Sequence, residues 1–442
     1  FAQSVQWTKD GLGYLTMEQG NLVKVDPKTD TRTTLIKKEQ LIPAGKKDPI
    51  VPSSYSISAD NQKILLFTNT ARVWRYNTRG DYWIYDIPKN KLSQVGKLRP
   101  AQSLMFAKFS PDNKWVAYVS EHNIFCEDVQ TGIAKKLTND GTRKMINGTF
   151  DWVYEEEFGC RDGFRWSPDS RNIAFWQIDA TKIRDFYMIN ATDSVYSRII
   201  PVEYPKVGEA PSPARIGVVA VSNGILNWMN IEGDARQHYI PRMEWADNKE
   251  IVVQQLDRKQ QESKLIYCNV QDGNTRLLFV EGDNAWVDLN TDNPKGWNWI
   301  NGGQDFLWVS EKDGWRHIYK MSRDGKNVIL LTKGNYDIDK ILAVDEANDW
   351  VYFNASPENA TQRYLYRVPM NNMSKIKNDQ PELVSNAGLK GTHSYTISPN
   401  GKIALHQFSN YQTPEASEWI GLPEHKAFNA EDRKSTRLNS SH

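Results

Sequence analysis

The densest chemistry in this sequence sits in one short run, Thr149-Phe150-Asp151-Trp152-Val153-Tyr154-Glu155-Glu156-Glu157-Phe158-Gly159. The run is neither turn-like nor alternating. Asp151 is placed to cap a short helix whose first turns carry three consecutive acids, where negative charge meets the positive helix end. Trp152 and Tyr154 are expected to anchor that helix on the surface beneath it. Like charges repel, so three carboxylates held rigidly together imply a cation that relieves them. Two readings stand on these residues alone: a solvated acidic turn, or a site that takes up a cationic group. A carboxylate-lined metal site at Glu155–Glu157 is the weaker third idea, because no His or spaced acid completes it. No metal and no cofactor is expected.

The rest of the chain offers no nucleophile. A G-x-S-x-G elbow occurs nowhere. The nearest echo, Val221-Ser222-Asn223-Gly224, lacks the leading Gly. The seven His do not assemble into a triad. His317 in GWRHIY reads as packing on a sheet, and His393 and His406 read as strand or turn residues. Cys126, Cys160 and Cys268 lie far apart with no CxxC, so they read as buried or half-buried free thiols. No catalytic residue is expected in this chain.

What must position the acidic run is a repeat. An apolar or aromatic residue, a polar turn with Asp or Asn, and an alternating strand recur as WTKDGLGYLTM from Trp7, ISADNQKILLF from Ile57, FSPDNKWVAYV from Phe109 and WSPDSRNIAFW from Trp166. Weaker copies lie near Glu244, Gly303 and Asp345 and from Ile397, which makes eight. Pro fixes φ in these turns, and Asp or Asn bonds its own backbone. Between copies come further strand–turn–strand signatures, YWIYDIPKNKLSQV and HIYKMSRDGKNVILLT. About four short antiparallel strands per unit, repeated eight times, predict an all-β, eight-bladed β-propeller. The acidic helical segment is an insertion between the third and fourth repeats. The one wide gap, roughly Asp179 to Arg242, has room for an arm used in dimerisation or for a loop without a partner.

Composition agrees with this class. In 442 residues, 16 Trp, 19 Tyr and 15 Phe suit a strand-rich fold. Lys+Arg number 55 against 54 Asp+Glu, a formal charge of +1, which gives no electrostatic case for nucleic acid as a partner. No apolar run is long enough to span a bilayer as a helix. Four N-x-S/T triplets, at Asn147, Asn190, Asn354 and Asn359, carry no functional weight.

The string DWVYEEE followed by WSPDS closely resembles the dipeptidyl peptidase IV family of serine peptidases. VWRYN at 73–77, VEYPKVG at 202–208 and GWRHIY at 314–319 extend the resemblance from the first repeat to about Pro423. It implies an eight-bladed propeller covering an α/β-hydrolase domain, in an enzyme that releases dipeptides from peptide amino termini, preferably after Pro or Ala. In that family two adjacent acids bind the free amino terminus. By position these are Glu156 and Glu157, with Glu155 as a weaker neighbour, and the Arg that reaches the same site is Arg75. Tripeptidyl relatives alter the double-acid word, and its retention here favours dipeptide release. AWVDLNTD at 285–292 aligns with a region that supplies substrate-facing aromatic or Arg side chains in the family, and here Asp288 and Asn290 stand in it.

The same resemblance sets expectations for the parts beyond the motifs. The Ser-His-Asp triad belongs to a C-terminal hydrolase domain absent from this chain, so the chain alone is expected to be inactive. The propeller is expected over 1–432, with an incomplete first blade, and RKSTRLNSSH at 433–442 reads as a non-native tail. The expected partners are peptides with a free amino terminus, the hydrolase domain of the same polypeptide, and a second copy in a homodimer. A periplasmic, cell-surface or secreted location is implied. A non-catalytic propeller that binds peptides or proteins is the alternative from another functional class, and a tripeptidyl aminopeptidase relative is the alternative within the enzyme class.

Overall fold

The repeated turn folds the same way in the copies from Ile57, Phe109, Trp166 and Ile397. In the computed structural model, which describes residues 5–289, 293 and 295–428, the first side chain of the word donates to the third. Ser58 Oγ lies 2.5 Å from Asp60, Ser110 Oγ 2.6 Å from Asp112, Ser167 Oγ 2.7 Å from Asp169 and Ser398 Oγ 2.7 Å from Asn400. The same hydroxyls accept the N–H that opens the next strand, from Lys63, Trp115, Asn172 and Ile403. The fourth residue of each word is left-handed, as at Asn61, Asn113, Ser170 and Gly401, which is why short polar residues or Gly stand there. Each turn also holds its neighbour. Asn113 accepts from Ala59 N at 2.7 Å, Ser170 from Asp112 N at 3.0 Å and Asn248 from Asp169 N at 3.0 Å.

The chain divides into two compact units. In the unit of 1–38 and 297–442, the described residues form four sheets, each of four antiparallel strands in sequence order. The first begins with Gln6–Trp7, a strand of only two residues, and the last runs from Thr392–Ile397 to Lys426–Ala427. These two sheets lie side by side. Trp7 and Tyr14 both pack on Trp419, and Asn400 donates to the carbonyl of Asp10. In the unit of 39–296, two consecutive four-stranded meanders, Pro52–Val95 and Leu104–Lys136, fuse where Arg79 and Gly80 pair with Met105 and Leu104. A four-stranded sheet from His238–Trp245 to Thr275–Gly282 closes this unit in sequence.

The acidic segment interrupts a sheet edge. Met145–Asn147 and Phe164–Trp166 both pair with Asn172–Asp179, so one edge strand is split and the residues between loop out. The neck closes through Gly148 N to Trp176 O, Gly163 N to Gly148 O and Trp176 N to Gly163 O. A Cβ on Gly163 would stand 2.7 Å from the Gly148 carbonyl carbon, so only glycine permits this closure. The wide gap after Asp179 holds a separate two-stranded hairpin, Asp185–Asn190 with Arg198–Glu203, that pairs with no other sheet among the described residues. All three cysteines are buried free thiols, as the sequence indicates. Burial pushes Cys126 and Cys268 up to about 12 and Cys160 up to about 11.

Candidate functional site

Inside the looped segment the run from Trp152 to Phe158 forms a helix, α1. Asp151 caps it by accepting from Tyr154 N at 3.1 Å, and its other oxygen accepts from Ser212 Oγ at 2.6 Å. Gly159 ends it in the left-handed conformation. The apolar side chains make α1 part of the core and not a surface appendage. Tyr154 is fully buried, stacks on Phe150, and accepts from Ile240 N through its hydroxyl at 3.0 Å. Phe158 packs on Tyr239, and the buried Arg242 donates to the Phe158 carbonyl. Trp152 is half-buried against Tyr204, so of the two expected anchors one sits on the surface and the other in the core.

On this fixed helix the three acids separate. Successive helical residues are about 100° apart, so three consecutive side chains fan over about 200° and cannot all share one face. Glu155 turns inward and is buried, Glu156 is half-buried, and Glu157 is exposed with no hydrogen bond or ion pair among the described residues. Arg75 comes from a distant element. Lys63–Val73 and Tyr76–Asp86 are strands of 11 residues each, and their hairpin tip is Trp74-Arg75, with Val73 paired to Tyr76. From that tip Arg75 Nε donates to Glu156 Oε2 at 2.6 Å, while the Arg75 side chain stays 73% exposed. The Glu156 carboxylate holds the Arg75 guanidinium above its usual range.

A second contact joins the same two elements. Arg161 lies 3.9 Å from the Tyr76 ring centroid and 3.5 Å from Glu155 Oε1. Desolvation by burial pushes the Glu155 carboxyl up to about 7, with Arg161 opposing and Glu156 adding to the rise. Glu155 is thus the acid least able to hold charge, whereas Glu156 is charge-paired and Glu157 faces solvent. Sequence reasoning missed Arg161. Its signal is a basic residue two places past the helix-ending Gly159, within reach of the last turn. Asp288 is exposed, and Asn290 lies outside the described residues, as do 429–442 with the end of the expected domain and its tail.

Comparison with known proteins gives this site its context. The family model for the dipeptidyl peptidase IV (DPP IV) N-terminal region matches residues 58–415. "Probable dipeptidyl peptidase 4" of Emericella nidulans is 27% identical over 383 residues, covering 83% of this chain and 48% of that protein. Dipeptidyl peptidase 4 of Trichophyton rubrum is 25% identical over 401 residues, covering 88% and 50%. The chain therefore spans about half the length of the curated relatives it matches. The crystal structure of Porphyromonas gingivalis dipeptidyl peptidase 4 superposes with a TM-score of 0.87 at 26% identity, over 97% of this chain and 60% of that one. With its all-β, propeller-like sheets and its family match over most of its length, the chain belongs to the dipeptidyl peptidase IV N-terminal region family.

Proposed function

We propose that this chain is the amino-terminus-binding, substrate-gating propeller of a serine exopeptidase that releases N-terminal dipeptides, with a preference for Xaa-Pro and Xaa-Ala. Four sheets in one unit, and two fused meanders, a split-edge sheet and a last sheet in the other, come to eight and support the eight-bladed reading. The observation that carries the function is the Arg75–Glu156 pair beside an exposed Glu157 on a helix locked into the core. A substrate ammonium needs a fixed, multidentate carboxylate partner, because charge-assisted bonds of that kind are strong and directional. Glu156 and Glu157 supply two carboxylates on one rigid turn, and Arg75 holds the first while keeping donors open toward a substrate carbonyl.

Pinning the ammonium also sets where the peptide is cut. Two extended residues span about 7 Å at roughly 3.3–3.6 Å each. The acid pair acts as a ruler, and its contribution is orientation, with bond breaking left to a Ser-His-Asp triad in the hydrolase domain of the same polypeptide. An exported location, periplasmic, cell-surface or secreted, and a homodimer are part of the proposal. Kinetics of the complete enzyme test it. Glu156→Ala should lower kcat/KM for free-amino Xaa-Pro substrates by about 100-fold, the scale of lost positioning, and Nα-acetylated substrates should already be poor for the parent. Unchanged kinetics in the variant would overturn the assignment.

A further inference from the structure

The last sheet contains a cluster of imidazoles with no part in the peptide site. His393 lies in Thr392–Ile397, His406 in Ile403–Asn410, and His425 in the turn before Lys426–Ala427. One ligand nitrogen from each lies within 4.8 Å of the other two. His393 and His406 are fully buried, and His425 is half-buried. From sequence, His393 and His406 read as plain strand or turn residues; the register shows why more is at stake. Tyr395 pairs with His406, and His406 pairs with Glu418, so three polar side chains form one row across three strands.

The proton inventory makes the cluster unusual. His393 Nε2 lies 2.8 Å from the Leu389 carbonyl oxygen, which can only accept, so Nε2 carries the proton. His406 Nδ1 lies 3.0 Å from Glu418 Oε1, a carboxylate acceptor, so Nδ1 carries the proton there. A neutral imidazole has one N–H, which leaves a lone pair on His393 Nδ1 and another on His406 Nε2. Those two nitrogens are 2.8 Å apart, with ring planes only 11° from parallel. Two lone pairs facing at that distance call for a cation, either one further proton shared between the rings or a metal ion beside them, and the test below separates the two. The Tyr395 hydroxyl borders the same space, 2.8 Å from His425 Nε2 and 3.4 Å from His393 Nδ1.

We propose that His393, His406 and His425 form a structural zinc-type site, with the fourth position facing the Tyr395 hydroxyl. Three imidazoles are a donor set suited to Zn²⁺. The outer nitrogens of His393 and His406 are already engaged by a backbone carbonyl and a carboxylate, the arrangement that fixes the tautomer of metal-binding His. Tetrahedral bonds of about 2.0–2.1 Å put ligand nitrogens roughly 3.3 Å apart, so the 2.8 Å pair has to open by about half an ångström and the wider separations, up to 4.8 Å, have to close toward the same spacing. The site ties the turn at Leu422–Lys426 to the first two strands of the sheet whose Trp419 meets Trp7 and Tyr14. It therefore secures the seam between the last and first sheets.

The test uses the intact protein that carries this chain, stripped with chelator and then titrated with Zn²⁺ and with Co²⁺. The expected result is one tight equivalent per chain, the visible d–d absorption of tetrahedral Co²⁺, and a higher thermal midpoint with metal. His406→Ala and His425→Ala should each abolish that equivalent, while His122→Ala should keep it. Glu418→Gln should weaken it by about 10–100-fold, the usual effect of removing an outer carboxylate partner. Should His406→Ala fail to fold, the half-buried His425 and the Co²⁺ spectrum of the unaltered protein still decide. Absence of a stoichiometric site in the unaltered protein, or a site that survives His425→Ala, overturns the proposal.

Discussion

Arg75 Nε and Glu156 Oε2 are 2.6 Å apart although 81 residues separate them in the chain. Each is delivered by an element built for reach: Arg75 by the tip of a hairpin whose strands run to 11 residues, Glu156 by a helix spliced into a split sheet edge. Because Arg75 remains mostly exposed, the pair is not a stability device, and exposed pairs contribute little to folding. In the proposed site its role is to fix a carboxylate. Arg75→Ala should therefore leave the thermal midpoint nearly unchanged and lower kcat/KM of the complete enzyme by about tenfold or more. The double variant with Glu156→Ala should lose less than the two single losses combined, because the residues act as one unit. Independent, fully additive losses would show that the pair does not work together.

Glu155 predicts a pH dependence of stability. Its folded carboxyl is pushed up to about 7 by burial, above the ordinary 4.5. Between those values the folded state holds a proton that the unfolded chain has released, so stability falls as pH rises through that window. Glu155→Gln removes this loss. The thermal midpoint of the variant, relative to the parent, should be flat below about pH 4.5, rise between about 4.5 and 7, and level off above that. A difference curve without that rise would mean that Glu155 is charged in the fold across the window.

What was legible in the sequence is what local chemistry controls. The Ser-x-Asp turns, the Asp151 cap and the acidic turn each lie within a few residues, and each folds as the residue types dictate. Four-stranded repeats followed from the spacing of those turns. Arg75 came from resemblance alone, because nothing near VWRYN announces an acid 81 residues away. Arg161 was missed because its two partners, Glu155 and the Tyr76 ring, lie on different elements. The three acids were expected as a cluster, yet helical geometry sends Glu155 inward and Glu157 outward. The row Tyr395–His406–Glu418 is invisible without strand register, since it joins positions 11 and 12 residues apart.

Asp151 links fold to site, because it caps α1 and also accepts from Ser212. Asp151→Ala removes the cap, at a cost of about 1–2 kcal/mol, and leaves the buried Ser212 hydroxyl without this acceptor, adding roughly 1–3 kcal/mol. Displacing α1 also displaces Glu156, so activity should fall more than unfolding alone explains. Asp151→Asn keeps an oxygen acceptor for Tyr154 N and should recover much of both. Denaturant unfolding combined with kcat/KM on the folded fraction separates the two effects. If Asp151→Ala unfolds as readily as the parent, the cap is not what holds the helix.

The hairpin Asp185–Asn190/Arg198–Glu203 carries the prediction about assembly. Ile189 and Ile199 pair directly, Tyr187 lies on the same face, and these side chains are 75%, 65% and 65% exposed. An ordered apolar face turned to water on an arm that, among the described residues, joins no other sheet calls for a partner. Its base is held by Arg143 and Lys144 on Asp185 and by Arg143 on Glu203, so the arm is positioned at its root. In the proposed homodimer this face meets a second copy through a self-complementary contact. The triple variant Tyr187→Ser, Ile189→Asp, Ile199→Asp should convert the dimer to monomer in light scattering, with the circular dichroism spectrum unchanged. A variant that stays dimeric would place the interface elsewhere, and a parent that is monomeric at all accessible concentrations would remove the dimer from the proposal.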